Sequence, residues 1–219
     1  MTRKAVKILL IVILTALCII AGALSFDYWW ETNNVSEYQE PLYDARDDLD
    51  NTQPTEAEIL QHIVAPDRPR YMSIAKIGIN NARVIEIGTI GDNNQLADPA
   101  NVHDVGWYNG SAKPGQPEPH MTAGLYDGHN TGAYSRGVFY RLAELNSGDK
   151  IVVERGDGAI FIYEVRESLL VESAAVNMSL MMQTVQSGVE GLNIITCGGN
   201  WDEAANTYTH RVLIRAVLL

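Results

Sequence analysis

The last 27 residues of the chain, 193-NIITCGGNWDEAANTYTHRVLIRAVLL-219, contain two runs rich in β-branched and aliphatic residues. Glycine, asparagine and aspartate dominate the stretch between the runs, which is typical of a connection between two strands. If these strands are antiparallel neighbours, their facing ends bring Arg211 close to Cys197. The stretch therefore predicts a β-sheet in which a cation lies beside a thiol.

Short β-rich runs continue upstream through most of the chain. They are YMSIAKIGI, ARVIEIGTI, MTAGLYDG, KIVVERG and AIFIYEVRESLLV, in that order from residue 71 onward. Seven or eight such strands with little helix predict a mainly β fold, either a barrel or a sandwich. We expect short helices near residues 55–63, 138–145 and 177–186, and an extended surface loop over the Gly- and Pro-rich residues 96–120.

The N-terminal region has the features of a membrane anchor. Cations at positions 3, 4 and 7 precede residues 8–24, which contain no charge, and Tyr28, Trp29 and Trp30 follow. This order predicts one transmembrane helix over residues 8–25, with residues 1–7 in the cytoplasm. A cleaved signal peptide is the alternative, because residues 21–25 (AGALS) offer small residues of the kind that a signal peptidase accepts. Either alternative places the rest of the chain outside the cytoplasm.

The remaining residues divide into an acidic spacer and a globular domain. Residues 26–68 are rich in acids and poor in apolar positions, so we interpret them as a solvated extracytoplasmic spacer, and residues 69–219 as the folded domain. The formal net charge is −11. A surface of this sign repels nucleic acid and anionic lipid, and we therefore expect no nucleic-acid partner.

Cys197 is a candidate nucleophile. The other cysteine, Cys18, lies in the apolar N-terminal run, so the folded domain has no second cysteine for a disulfide. Cys197 stands where LNIIT meets GGN, which predicts the exposed end of a strand, and exposure is one requirement of a reactive thiolate. The alternative is a small buried hydrophobic residue.

A thiol nucleophile needs a proton-transfer partner and a donor for the oxyanion. Among the five histidines, His129 is best placed, because the run HMTAGLYDGHN delivers it to a Gly-flanked turn at the end of a strand. Arg211 is the expected oxyanion donor, and Arg215 competes because it shares the same strand face. No histidine pair has the spacing of metal ligands, so no metal or other cofactor is predicted.

The residues YDGHNTGAYSRGVFYRLAELNSGDKIVV, IITCGG and HRVLIRA, in this order, resemble the sortases, the cysteine transpeptidases of bacterial cell surfaces. The resemblance covers about residues 70–219 and implies a closed eight-stranded β-barrel with short helices. It matches His129 to the catalytic histidine, Cys197 to the nucleophile and Arg211 to the catalytic arginine. It also implies substrate contacts for Thr196, Gly198 and Asn130, and the loop DVGWYNGSAKPG with TCGG is similar to class F and class E-like members.

The resemblance implies both reaction and partners. Cys197 would attack an LPxTG-like sorting signal at the C-terminus of a surface protein and form a thioacyl-enzyme. An amino group of a peptidoglycan precursor or a pilin lysine would then accept the protein. The implied location is the bacterial plasma membrane, with the N-terminal helix as anchor and the catalytic domain outside.

Two other classes of function remain open from the residues alone. A different cell-wall cysteine enzyme is one, although an L,D-transpeptidase would need a Ser-His-Gly-Cys run and a papain-like peptidase would have its cysteine before its histidine. The other is a membrane-tethered β-barrel binding module with an inert Cys197. Reactivity of the thiol distinguishes the last reading from the two enzymatic ones.

Overall fold

The computed structural model describes residues 49–91, 95–117, 121–132 and 135–219. All described residues belong to one compact unit. The predicted cytoplasmic residues 1–7, the transmembrane helix over residues 8–25 and the spacer up to residue 48 lie outside the described residues. In the part of the chain that is described, no helix combines the length and the apolar character needed to cross a bilayer.

Eight strands close into a barrel. They are β1 (Pro69–Ile74), β2 (Ile79–Ile87), β5 (Val105–Tyr108), β6 (Ala123–Asp127), β7 (Lys150–Arg155), β8 (Ile160–Glu172), β9 (Gly191–Asp202) and β10 (Thr207–Leu218). Around the barrel they follow the order β1-β2-β5-β6-β9-β10-β8-β7, and β3 (Thr89–Ile90) with β4 (Gln95–Leu96) forms a small separate hairpin. The predicted mainly β fold with a closed eight-stranded barrel is confirmed.

Alternation of apolar residues along the strands fills the barrel. Ile194 of β9, Ile214 of β10 and Tyr163 of β8 are at most 1% exposed and belong to one core cluster. Side chains at every second position of a strand share a face, so these residues point inward while their neighbours point outward. Each fully buried aliphatic side chain contributes about 1.5–3 kcal/mol to the free energy of unfolding.

The helices are shorter than the sequence predicts. Helix α1 spans Glu56–Leu60 and begins with a capping box between Thr55 and Glu58, which is inside the expected range 55–63. Helix α2 covers only Met178–Met181 of the expected 177–186, because the Met182 carbonyl accepts the backbone N–H groups of Thr122 and Ala123 instead of continuing the helix.

The short helix expected over residues 138–145 is present only in part and is not an α-helix. This segment forms successive turns, and its one helical element is a 3₁₀-helix over Leu142–Glu144. Its backbone hydrogen bonds run from residue i+3 to residue i, as in Leu142 to Phe139 and Leu145 to Leu142. Burial of Phe139, Leu142 and Leu145 at every third position matches the 3₁₀ period and not that of an α-helix.

Strand β5 lies inside the segment that the sequence assigned to a long loop. Its four residues include Gly106, and it pairs in parallel with β2 and antiparallel with β6. Gly106 packs closely there, because a Cβ atom would lie 2.6 Å from Ile87 Cδ1 and 3.1 Å from Pro99 Cγ and would displace these side chains. A four-residue strand that includes a glycine is too short to show the alternation of apolar and polar residues, so the sequence did not predict it.

Candidate active site

A groove lies on the outer face of strands β6, β9 and β10. Leu125 and Ile195 line it and belong to a second apolar cluster, which also contains Leu213 and Met181. The cavity has a volume of about 830 Å³, and its lining also includes Cys197, Arg211, Asp98, Asp127, Trp201 and Tyr208. An apolar floor with a few polar groups beside a thiol has the character of a site that binds an extended ligand.

Cys197 does not end its strand, so that prediction is wrong. Strand β9 continues to Asp202, and the register with β10 shifts between Tyr208 and His210, which indicates a β-bulge at Gly199 and Asn200. Gly199 adopts φ +73, which a glycine accepts without strain. Gly198 packs inward, since a Cβ atom there would lie 2.9 Å from Val212 Cγ2. Cys197 is partly exposed because it is on the groove face of the strand, and not because a strand ends there.

Arg211 lies opposite Cys197. Strands β9 and β10 are antiparallel neighbours, as predicted, and Cys197 and Arg211 are paired residues in their register. Paired residues project from the same face of a sheet with Cβ atoms about 4.5–5.5 Å apart. The Arg211 guanidinium donates through one nitrogen to the carbonyls of Tyr208 (2.9 Å) and His210 (2.8 Å), and through another to Thr207 Oγ1 (3.2 Å). These bonds hold the cation at the groove.

Arg215 lies elsewhere. It pairs with Asn193 in the same register and donates to the Glu167 carboxylate at 3.0 Å. Its other terminal nitrogen lies 3.4 Å from the Gln183 carbonyl. The structure therefore brings Arg211, and not Arg215, next to Cys197.

His129 follows strand β6, which pairs in parallel with β9. The last pair in their register is Asp127 with Ile195. His129 is two residues after Asp127, and Cys197 is two residues after Ile195. Thr196 Oγ1 donates to the Gly128 carbonyl at 2.7 Å and links the middle of β9 to the residue that follows β6. The His129 side chain is buried, and its Nε2 lies 2.8 Å from the Pro99 carbonyl oxygen.

The three residues expected to bind substrate have different positions. Thr196 is among the residues that line the groove, although its hydroxyl is engaged by Gly128. Gly198 faces Val212, and the carbonyl of Asn130 accepts from the Gly137 N–H. Neither Gly198 nor Asn130 lines the groove. Their contacts with substrate stay predictions.

The sequence did not reveal an acidic pair in the groove. The Asp98 side chain hydrogen-bonds to that of Asp127, which is buried. Burial, reinforced by the neighbouring Asp98 carboxyl, raises the pKa of Asp127 well above its usual value, against opposing contributions from the Gly128 N–H and Arg211. Asp127 therefore keeps its proton where an exposed aspartate would lose it. The sequence signal for Asp127 was its position two residues before His129. Its partner Asp98 comes from a loop that is distant in the sequence, so the pair itself could not be predicted.

Asn193 and Arg215 hold one wall of the groove. Asn193 is fully buried, and its Nδ2 donates to the carbonyls of Met181 (2.8 Å) and Gln183 (3.0 Å). Met182, between these two carbonyls, lines the groove. Asn193 therefore holds residues 181–183 in the position in which Met182 lines the groove.

Within the described ranges, no cluster of three or more histidine, cysteine, aspartate or glutamate side chains has the arrangement to hold a metal ion. The chemistry that this geometry offers is that of a thiol, an imidazole and a guanidinium. These groups suit acyl transfer through a covalent intermediate.

Comparison with known proteins identifies relatives. A family model described as the sortase domain matches residues 72–219. No functionally curated protein sequence matches the chain.

Solved structures share the fold. Sortase A from Corynebacterium diphtheriae is 20% identical with a TM-score of 0.51, over 78% of this chain and 72% of that one. A lid mutant of sortase A from the same organism is 23% identical with a TM-score of 0.50, over 73% of each chain. A mutant sortase C-1 from S. pneumoniae is 16% identical with a TM-score of 0.51, over 82% of this chain and 79% of that one. Structures named sortase A and sortase C both match, so the subclass stays open.

Proposed function

This chain belongs to the sortase family, and we propose that it cleaves an LPxTG-like sorting signal and transfers the attached protein to an amine. One observation carries the proposal. Cys197 and Arg211 are paired across two strands on the face of one groove, and the strand that leads to His129 pairs with the strand of Cys197. These placements support a site that combines a nucleophile (Cys197), an oxyanion donor (Arg211) and a proton-transfer group (His129).

The first half of the reaction forms a thioacyl-enzyme. Cys197 loses its proton to His129, and the thiolate attacks the carbonyl before the scissile bond. Arg211 stabilises the oxyanion of the tetrahedral intermediate, since a cation aimed at a developing negative charge lowers the barrier. His129 then protonates the departing amine, and the acyl group remains on the sulfur.

The second half transfers the acyl group. An incoming amine gives a proton to His129 and attacks the thioester, and Arg211 again stabilises the oxyanion. Cys197 is released as the thiolate. We propose an amino group of a peptidoglycan precursor or a pilin lysine as the acceptor. Residues 31–70 contain no Asp-Pro-aromatic motif of the kind found in the lids of pilin-polymerising relatives, which favours protein anchoring.

We propose that the enzyme works at the plasma membrane of a bacterium. The charge-free residues 8–24, with cations before them and an aromatic cluster after them, support an N-terminal transmembrane anchor with the catalytic domain outside the cytoplasm. The acidic spacer would hold the barrel away from the membrane surface. The proposed substrates and acceptor would both be reached from that side of the membrane.

The experiment that tests the function combines thiol labelling with peptide cleavage. The protein is treated with a thiol-reactive vinyl sulfone and assayed against a library of sorting pentapeptides with an added amine. We expect the reagent to label Cys197 selectively and the labelling to be lost in His129→Ala. A peptide that the enzyme cleaves should protect Cys197 from the reagent. An unreactive Cys197 in the folded protein, or cleavage of every peptide at the wild-type rate by Cys197→Ala, would refute the proposal.

A further inference from the structure

One nitrogen of the His129 ring is committed to a fixed acceptor. Nε2 lies 2.8 Å from the Pro99 carbonyl oxygen, and the side chain is buried, being 6% exposed. A carbonyl oxygen can only accept a hydrogen bond, so Nε2 must carry the hydrogen. A neutral imidazole has one N–H group, and its other nitrogen, here Nδ1, is then the unprotonated one.

The Pro99 carbonyl is held in place from both sides. Before it, the Asp98 side chain hydrogen-bonds to Asp127, two residues ahead of His129. After it, the Ala100 carbonyl accepts the backbone N–H of Asp50 at 2.9 Å. The Pro99 ring itself packs over Gly106, where a Cβ atom would lie only 3.1 Å from its Cγ. The acceptor therefore has a defined position relative to the imidazole.

We propose that the Pro99 carbonyl is a positioning group that fixes neutral His129 as the Nε2–H tautomer and makes Nδ1 the nitrogen that exchanges the catalytic proton. The role of Nδ1 in catalysis rests on the proposed function. In the first step the Cys197 S–H bond breaks, an Nδ1–H bond forms, and the Nε2–H bond to Pro99 persists. In the next step the Nδ1 proton passes to the nitrogen of the departing amine, which returns the ring to its starting tautomer.

The alternative tautomer is disfavoured by its electrostatics. With the hydrogen on Nδ1, the lone pair of Nε2 would face the lone pairs of the Pro99 oxygen inside a buried pocket. A buried acceptor that loses its donor is costly, so we expect the Nε2–H form to exceed the Nδ1–H form by roughly tenfold or more. A backbone carbonyl in this role cannot be removed by changing a side chain.

The test measures the tautomer directly in the full chain. Protein labelled with ¹⁵N-histidine is prepared as Cys197→Ala, and the imidazole nitrogen spectra are followed upward in pH until the ring is neutral. Comparison with His129→Gln assigns the signals. We expect neutral His129 to show a protonated Nε2 and an unprotonated Nδ1. A predominant Nδ1–H form, or an even mixture of the two, would overturn the proposal.

A backbone substitution tests whether Pro99 causes this preference. Replacing Ala100 by lactic acid turns the Pro99–Ala100 amide into an ester and weakens the Pro99 carbonyl as an acceptor, while every side chain stays the same. We expect the Nδ1–H population to rise severalfold. The same replacement at the exposed Ala175 is the matched control and should leave the ratio unchanged. An unchanged ratio in the Ala100 ester would show that Pro99 is not the determinant.

The two proposals fail in different ways. The nitrogen spectra do not depend on turnover, so an Nε2–H tautomer in a protein that cleaves no peptide would contradict the function and leave the positioning by Pro99 intact. An active transpeptidase with an Nδ1–H tautomer would support the function and contradict the positioning by Pro99.

Discussion

Arg211 pairs directly with Cys197 in the antiparallel ladder of β9 and β10, whereas Arg215 pairs with Asn193 four residues farther along the strand. The two arginines share a strand face, but they have different partners. Arg211 binds backbone carbonyls of its own strand at the edge of the groove, and Arg215 forms an ion pair with Glu167. The register therefore separates a candidate catalytic cation from a structural one.

Substitution of each arginine by methionine tests this separation. Arg211→Met should lower kcat/KM for peptide cleavage by about 10²–10³-fold, as expected for the loss of an oxyanion donor. Arg215→Met keeps the aliphatic stem and should lower it by less than about tenfold, mainly through stability. Steady-state kinetics and urea unfolding of both variants provide the comparison. A larger loss of activity in the Arg215 variant would assign the roles the other way.

The hydroxyl of Thr196, the residue before Cys197 in β9, donates to the carbonyl of Gly128, the residue before His129. Both its oxygen and the Gly128 carbonyl lie in a buried setting, with Thr196 only 2% exposed. Thr196→Val keeps the shape and removes the donor, which should lower the free energy of unfolding by about 1–2 kcal/mol. We also expect kcat/KM to fall about tenfold or more, since small displacements of reacting groups are expensive.

The matched control for that hydroxyl is Thr196→Ser, which restores the donor and lacks only the methyl group. Its kcat/KM should lie much closer to the wild-type value than that of Thr196→Val. Equal activity of the valine variant and the wild-type protein would show that this hydrogen bond does not position Cys197 relative to His129.

The strands and the candidate catalytic residues could be proposed from the sequence because each leaves a local pattern. Alternating apolar residues mark β9 and β10, and glycine-flanked positions mark His129 and Cys197. The Gly-Gly pair after Cys197 was misleading, because a glycine that ends a strand and one that forms a bulge within it look alike in sequence. Only the positive φ of Gly199 and the continued pairing to Asp202 distinguish them.

The contacts that complete the site depend on residues far apart in the chain. Pro99 meets His129 across 30 positions, and Asp98 meets Asp127 from the same loop. The distance between such residues in the sequence does not predict their contact, because the path of the loop over the barrel decides which residues meet. Burial of Asn193 beneath residues 181–183 is of the same kind.

Asn193 should control how well the groove holds a peptide. Asn193→Ala removes the donor for the carbonyls of Met181 and Gln183, which should cost about 1–3 kcal/mol in the free energy of unfolding. Because Met182 lines the groove between them, we expect KM for the peptide to rise more than kcat falls. Asn200→Ala, at an exposed position of the same strand, is the control. A fall in kcat at unchanged KM would contradict this role of the wall.

Asp157 provides a reference for the pH dependence of stability. The hydrogen bond from Arg155 lowers the pKa of Asp157 to about 2. A carboxyl with a depressed pKa in the folded state stabilises the protein above the pKa of the unfolded chain, and this contribution disappears as the pH falls. Asp157→Asn should therefore lower Tm at about pH 8, and the difference should shrink in acid.

Asp127→Asn should have the opposite effect. Burial, with help from Asp98, raises the pKa of Asp127, so the folded state keeps a proton that the unfolded chain has already lost. Stability from this group then falls as the pH rises from the usual aspartate pKa toward the raised one. An asparagine amide can still donate to Asp98 and has no proton to lose. Thermal unfolding should therefore show Tm of Asp127→Asn minus that of the wild-type protein increasing from about pH 4 to about pH 8. A difference that stays constant or decreases over this range would mean that Asp127 is ionised in the folded groove.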